Sequence, residues 1–426
     1  MPMGEPLQFL ESDVLEALGA LIEAGLAFER REMAEFDARQ VLRGYALEDG
    51  RVAALAMRDC GLADLPESLG SLSQLRHLDL TGNQITHFPA AFGNLTHLEK
   101  LYLDGNRIAT LPEAILALPK LTELHLDENL LTDLPEDIDR LGRLEVLYVY
   151  GNQLTALPGA IGKLANLREL SLRGNRLRSL PTSFWQLQNM QVLYLGENPL
   201  VSLPDEIDDL KHLTQLYVHN SDLAVLPDTI GNLTRLEILD LGHNALTTLP
   251  ETIGSLTNLR ILYASDSYLT ALPESMANLK ALRYLNCTDN QLSALPEWLG
   301  QLESLVELRL YNNQLVTLPQ SLGLLSQLSE LHVMGNQLTS LPESLGDLQS
   351  LKKLHLRNNY LVSLPATIGN LRNLDELDLR ANRLTALPDS ITNLEALTKL
   401  DLRWNKLAAR PQWLSQLEAR GCMVYI

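Results

Sequence analysis

The sequence predicts an α/β solenoid, and three observations carry that prediction. A 23-residue sentence, L-x-x-L-x-L-x-x-N-x-L-x-x-L-P-x-x-I-G-x-L, recurs sixteen times without a slip, from Val52 to the C-terminal region. Its anchor is Asn83, Asn106, Asn129, Asn152, Asn175, Asn198, Asn244, Asn290, Asn313, Asn336, Asn359, Asn382 and Asn405, with Cys60, Ser221 and Ser267 in the other three places. Each copy alternates Leu with a variable residue before the anchor and places Leu-Pro after it. A fixed period of this size marks stacked coils rather than separate globular domains. The 426 residues therefore read chiefly as one array.

Each part of the coil has its own reason. Around Asn244 the apolar positions are Leu236, Leu239, Leu241, Leu246, Leu249, Ile253 and Leu256. The L-x-L pair has period two, which predicts a strand with one face inward. Asparagine suits the bend that follows, because its amide carries two donors and an acceptor for buried backbone groups. Serine satisfies fewer such groups, so the coils at Ser221 and Ser267 are expected to be looser. In Leu-Pro the proline has no N–H and bars a central strand. The I-G-x-L that follows suits a short helical or extended return on the outer side. One coil leaves both sides of its apolar layer open, so it depends on neighbours.

This pattern resembles the leucine-rich repeat family, in the version with L-P-x-x-I-G-x-L-x-x-L common in bacterial and intracellular proteins. The resemblance runs from Val52 to the C-terminus. It implies a right-handed horseshoe with a parallel sheet on its concave face, and protein recognition as the usual role. On this reading 1–50 is a helical N-terminal cap, 51–410 is the array and 411–426 is a C-terminal cap. Val14, Leu18, Leu21 and Ile22 fall at helical spacing, Asp13-x-x-Glu16 resembles a capping box, and Gly25 can stop the helix. A second helical stretch is expected over Phe28 to Leu42, and the terminal run Met423-Val424-Tyr425-Ile426 is read as a last strand.

Composition excludes several functions. Acidic residues outnumber basic ones, 53 to 34, for a net charge of −19; nucleic acid is disfavoured because phosphate binding needs a basic stripe. No apolar stretch reaches the length of a membrane span, and the N-terminus lacks a basic region followed by an apolar run. A cytoplasmic protein without a membrane partner is expected, with export by a signal-independent route as the alternative. Cys60, Cys287 and Cys422 match neither a disulfide framework nor a metal site and are read as reduced structural residues. The chain shows no phosphate loop, H-E-x-x-H, C-x-x-C or EF-hand loop. No enzyme, cofactor or metal is therefore expected.

The candidate binding residues follow from the strand geometry. Residues flanking the buried Leu point out of the sheet, so the positions six, four and two before each anchor line one face. Eight of the twelve tyrosines fall there: Tyr102, Tyr148, Tyr150, Tyr194, Tyr217, Tyr263, Tyr284 and Tyr311. Tyrosine is large, rigid and amphipathic, which interfaces favour, although it is also a frequent strand filler. Tyr194, Tyr217 and Tyr263 are expected to be central. The last coils add His332 and His355 and a run of cations, Arg309, Arg357, Arg380 and Arg403, with Trp404 beside them. These would orient an acidic partner, unless the interleaved Glu307, Glu330, Glu376, Asp378 and Asp401 neutralise them. The function expected is a non-catalytic scaffold binding a protein or peptide on this face. The alternatives are a secreted bacterial effector aimed at a host protein and a self-associating regulatory scaffold.

Overall fold

The computed structural model describes residues 29–33 and 41–426. Packing divides the chain into two compact units, Met1–Leu200 and Val201–Ile426. In both, the strand of each coil is three residues long and pairs in parallel with the next at an offset of 23, as in His77↔Lys100 and Ile238↔Ile261. The short length follows from the sequence. Only one Leu per strand points inward between its two outward neighbours, and the chain then bends at the anchor.

The first unit opens with three strands: β1 (Glu29–Glu32), β2 (Arg43–Glu48) and β3 (Arg51–Met57). β1 runs parallel to β2, and β2 runs antiparallel to β3. The β2–β3 turn is Asp49-Gly50, both at positive φ. Parallel pairing then continues from β3 to the strand Val192–Tyr194. The helix expected between Phe28 and Leu42 is therefore corrected: its described residues Glu29–Glu32 are a strand. The physical reason is that β1 gains its backbone hydrogen bonds from β2, pairing Glu29–Glu32 with Gly44–Leu47. The boundary drawn between 50 and 51 falls in the turn of the β2–β3 hairpin. The helix expected over Asp13–Gly25 lies outside the described residues.

The second unit runs in parallel from Gln215–Tyr217 to Lys399–Asp401 and closes on Met423–Tyr425, with Lys399 opposite Met423. The terminal apolar run thus supplies a strand, preceded by the α-helix Leu414–Ala419.

The returns are mostly five-residue 3₁₀ helices. The five-residue ones each begin after a proline in extended conformation, such as Pro227 before Asp228–Asn232. Pro suits the position because its fixed φ matches and its missing N–H costs nothing there. The Gly of I-G-x-L has a packing reason: a Cβ on Gly254 would lie 2.2 Å from the Ser275 carbonyl oxygen.

The anchor amide bonds its own coil to the preceding one. Asn244 Oδ1 accepts from Leu223 N at 3.1 Å, while Nδ2 donates to Val218 O at 2.8 Å and Leu241 O at 2.9 Å. Asn106, Asn313 and Asn382 repeat the pattern. Where serine stands in, bonds are fewer. Ser267 Oγ reaches only Asn244 O, at 3.2 Å, and Ser221 Oγ is buried without a partner. The three cysteines are free, and burial pushes the Cys287 thiol up to about 12. Among the described residues no helix is long and apolar enough to cross a membrane.

Candidate functional site

The strand positions six, four and two before the anchor do present side chains on one face, but the middle column is partly filled by its own packing. In the first unit, Tyr102, His125, Tyr148 and Tyr194 form a ladder. Successive ring centroids are 4.8, 4.6 and 6.5 Å apart. The small Ser171 occupies the gap between Tyr148 and Tyr194 and is buried. Carboxylates of the outer column take the hydroxyls: Tyr102 Oη donates to Glu123 Oε1 at 3.0 Å, and Tyr148 Oη bonds to Glu169.

Tyr102 requires a correction. It is only 5 % exposed and packs with Val41, Ala46, Ala54 and Ala56, with Met33 against the same cluster. The residues before the array cover it, so it closes the first coils instead of facing a partner. Tyr148, Tyr150 and Tyr194 remain half-buried, and Tyr150 lies under Arg173, whose guanidinium is 5.1 Å from the ring centroid.

In the second unit Tyr217, Tyr263, Tyr284 and Tyr311 are half-buried. Tyr217 Oη bonds to Gln215 Oε1 at 3.0 Å. Tyr263 and Tyr284 pack with centroids 4.9 Å apart, and Arg309 lies 5.6 Å from the Tyr284 ring. Burial pushes the Tyr284 phenol up to about 12. Their hydroxyls, and that of Tyr311, take part in no hydrogen bond within the described residues.

Most of the cations are neutralised locally. Arg309 Nε is 2.5 Å from Glu307 Oε1, Arg380 binds Asp378 at 2.5 Å, and Arg403 binds Asp401 at 2.6 Å. Lys353 pairs with Glu330 and Lys399 with Glu376. Arg357 is different: it is half-buried, its Nε is buried without a partner, and it makes no ion pair among the described residues. His332 is itself buried, contrary to its expected role as a contact residue, because Glu330 and His355 hold its two nitrogens. Trp404 is not a strand residue. It occupies the turn position before Asn405 with φ 62°, is 70 % exposed, and lies beside Arg403, 5.6 Å from its ring.

The structure also assembles groups that the sequence pattern did not single out. Asp104, His125 and Asp127 bring one ligand atom each to within 4.8 Å of one another, and Glu307, Glu330 and His332 do the same. Neither set forms a linear motif, because each takes two residues from one coil and the third from the coil before. The signal available in the sequence was the column: Asp104 and Asp127 share one position a repeat apart.

A family model described as leucine-rich repeat region matches residues 40–157, 209–283 and 274–359. A leucine rich repeat model matches 165–223 and 349–407. Among solved structures, a leucine-rich repeat protein of Leptospira interrogans is 38 % identical, with a TM-score of 0.82, over 86 % of this chain and 93 % of that one. The ectodomain of the Arabidopsis thaliana membrane receptor kinase GASSHO1/SCHENGEN3, solved with Casparian strip integrity factor 2, is 31 % identical with a TM-score of 0.53. The match covers 85 % of this chain and 51 % of that one. An internalin of Listeria monocytogenes is 25 % identical with a TM-score of 0.64, over 71 % and 86 % of the two chains. No curated protein sequence matches at a significant level. Repeat grammar, coil geometry and these matches agree: the chain belongs to the leucine-rich repeat family.

Proposed function

We propose that this chain is a non-catalytic binding protein whose strand face takes a protein or peptide partner, with Tyr263, Tyr284 and Tyr311 as the docking centre. Leucine-rich repeat proteins commonly mediate protein–protein interaction, and the Arabidopsis relative was solved with such a partner. The observation that carries the choice of residues is the contrast between tyrosines. Tyr102 and Tyr148 spend their hydroxyls on Glu123 and Glu169. Tyr263, Tyr284 and Tyr311 keep theirs unused on rings that are already half fixed by packing. A rigid aromatic with an unused polar end loses little entropy on binding and can still donate a bond. Arg357 adds a cation whose charge is not already matched, suited to an acidic group on the partner. We read the protein as bacterial and cytoplasmic, the former on its likeness to the Leptospira protein.

The test is capture by immobilised full-length chain, compared with the triple variant Tyr263→Ala/Tyr284→Ala/Tyr311→Ala. Saturable binding of a defined partner should weaken at least about tenfold in the variant, with the circular dichroism spectrum unchanged. Equal affinity for that partner would remove these tyrosines from the interface.

A further inference from the structure

We propose that the groove between the last coil and the C-terminal helix binds a neutral mono- or disaccharide, with Trp413 as its stacking face and Asp389 as its main hydrogen-bond acceptor.

The repeat makes this groove by departing from its own pattern at three places. In the coil anchored at Asn382, Leu387, Pro388 and Ile391 keep the L-P-x-x-I frame. One period on, Arg410 stands in the Leu column and Trp413 in the column of Ser390. Thr392 stands where the coil before has Gly369. That glycine allows close approach: a Cβ on Gly369 would lie 2.2 Å from the Ser390 carbonyl oxygen. With a threonine on one side and a tryptophan on the other, the next pair cannot close to the same distance. Arg410 cannot extend the apolar layer either; it is exposed and pairs with Glu418 at 2.5 Å. The chain goes on as the α-helix Leu414–Ala419 in place of a 3₁₀ return. A groove of about 870 Å³ is left.

Small-molecule sites measure about 300–1,000 Å³ and combine an apolar wall with a few polar groups. This groove has both. Leu387 and Trp413 line it together with Asp389, Gln412 and Gln416. Trp298 occupies the same column as Trp413 inside the array and is only 5 % exposed, whereas Trp413 remains half-buried.

The polar groups set the class of ligand. The side chains of Asp389, Gln412 and Gln416 are exposed and make no hydrogen bond or ion pair among the described residues. The lining holds no lysine, arginine or histidine among the described residues, which leaves an anionic ligand without a counter-charge. A carboxylate only accepts, and each carboxamide both donates and accepts. Their match is a ligand with several hydroxyls, because a hydroxyl also does both and two neighbouring ones can share a carboxylate. A sugar ring adds an apolar C–H face that suits an indole. An organic cation would use Asp389 and Trp413 but leave both glutamines idle.

The experiment is saturation-transfer NMR and calorimetric titration of the full chain with glucose, galactose, mannose, N-acetylglucosamine, maltose and cellobiose. Choline and inorganic phosphate are run alongside. Saturable binding of at least one sugar is expected, tighter than that of choline or phosphate. Trp413→Ala and Asp389→Asn should each weaken it by at least about tenfold. Trp404→Ala, which removes an exposed tryptophan outside the groove, should leave it unchanged. The proposal falls if no sugar binds at up to about 10 mM, or if choline or phosphate binds more tightly. It also falls if binding is unchanged in Trp413→Ala or Asp389→Asn, or is lost in Trp404→Ala. Should Trp413→Ala lose its fold by circular dichroism, the exposed changes Asp389→Asn and Gln416→Ala decide. Weaker sugar binding in both supports the groove, and unchanged binding in either overturns it.

Discussion

The Nδ1 atoms of His332 and His355 stand 2.9 Å apart on adjacent coils. Only one proton fits between them. His332 Nε2 is 3.1 Å from Glu330 Oε2 and donates to it, so His332 Nδ1 accepts and His355 Nδ1 donates. A second proton on the pair would face a neighbouring cation. Burial depresses the His332 pKa below its ordinary value; Glu330 opposes that shift, and His355 and Arg309 add to it. Glu307 at 3.8 Å from His332 and Glu376 at 3.6 Å from His355 complete the surroundings.

A pH dependence follows, with its sign fixed by the depressed pKa. Below about 6.5 the unfolded His332 takes up a proton more readily than the folded one. Stability is then lost as pH falls from about 6.5 towards the lower folded pKa. Melting temperatures of wild type and His332→Gln, compared between about pH 7.5 and 5.5, should converge on acidification. Parallel curves would show that the His332 imidazole does not resist protonation.

Ser267 marks a coil with a missing bond. Asn244 accepts the Leu223 amide at 3.1 Å and Asn290 accepts the Leu269 amide at 2.9 Å. The equivalent amide between them is that of Leu246, while Ser267 Oγ turns to Asn244 O. Ser267→Asn should restore the ladder and stabilise by about 1 kcal/mol. The sharper readout is local: hydrogen exchange at the Leu246 N–H slows in the variant. Exchange no slower than in wild type would mean that the asparagine does not reach it.

The turn before the anchor offers a second stabilising change. In all sixteen coils that residue has positive φ, from Asp59 to Trp404. Gly, Asn and Asp tolerate this conformation, whereas a residue with an ordinary Cβ pays about 1–2 kcal/mol. Ala381 is held there at φ 51°. Ala381→Gly should raise stability by about 0.5–1 kcal/mol after the entropy lost by glycine. Gly335→Ala should lower it, since the new Cβ would meet Asn312 Oδ1 at 2.3 Å. Thermal melts that shift in the opposite order would refute the backbone argument.

These turn residues also show where the sequence was legible. The Leu and Asn columns are nearly uniform, because burial and the buried amide bonds demand it, and from them the coil could be built residue by residue. The column before the anchor mixes Gly, Asn, Asp, Glu, His, Ala and Trp. Its common feature is a backbone angle, which residue type alone does not reveal. Tyr102 shares its column with Tyr148 and Tyr194, and only the cover provided by Val41 and Ala46 distinguishes it. Column membership predicted direction; it did not predict what lies on top. Glu29–Glu32 gives no apolar period at all, so its strand comes from pairing with β2, a contact that spacing within the segment does not encode.

Asp127 provides the last prediction, because its raised pKa makes its charge a cost to the fold. Burial comes first among the causes and Asp104 second, with the hydrogen bond from Tyr150 N working the other way. An acid whose folded pKa lies near 6 and whose unfolded value lies near 4 binds more protons when folded. Its contribution therefore becomes less favourable as pH rises from about 4 to about 6 and stays so above. Asp127→Asn retains an oxygen for the Tyr150 amide and removes the charge. It should be more stable than wild type at pH 7 by on the order of 1–3 kcal/mol, and the advantage should shrink below about pH 5. A variant that is less stable than wild type at pH 7 would show that the carboxylate is matched by charge within the fold.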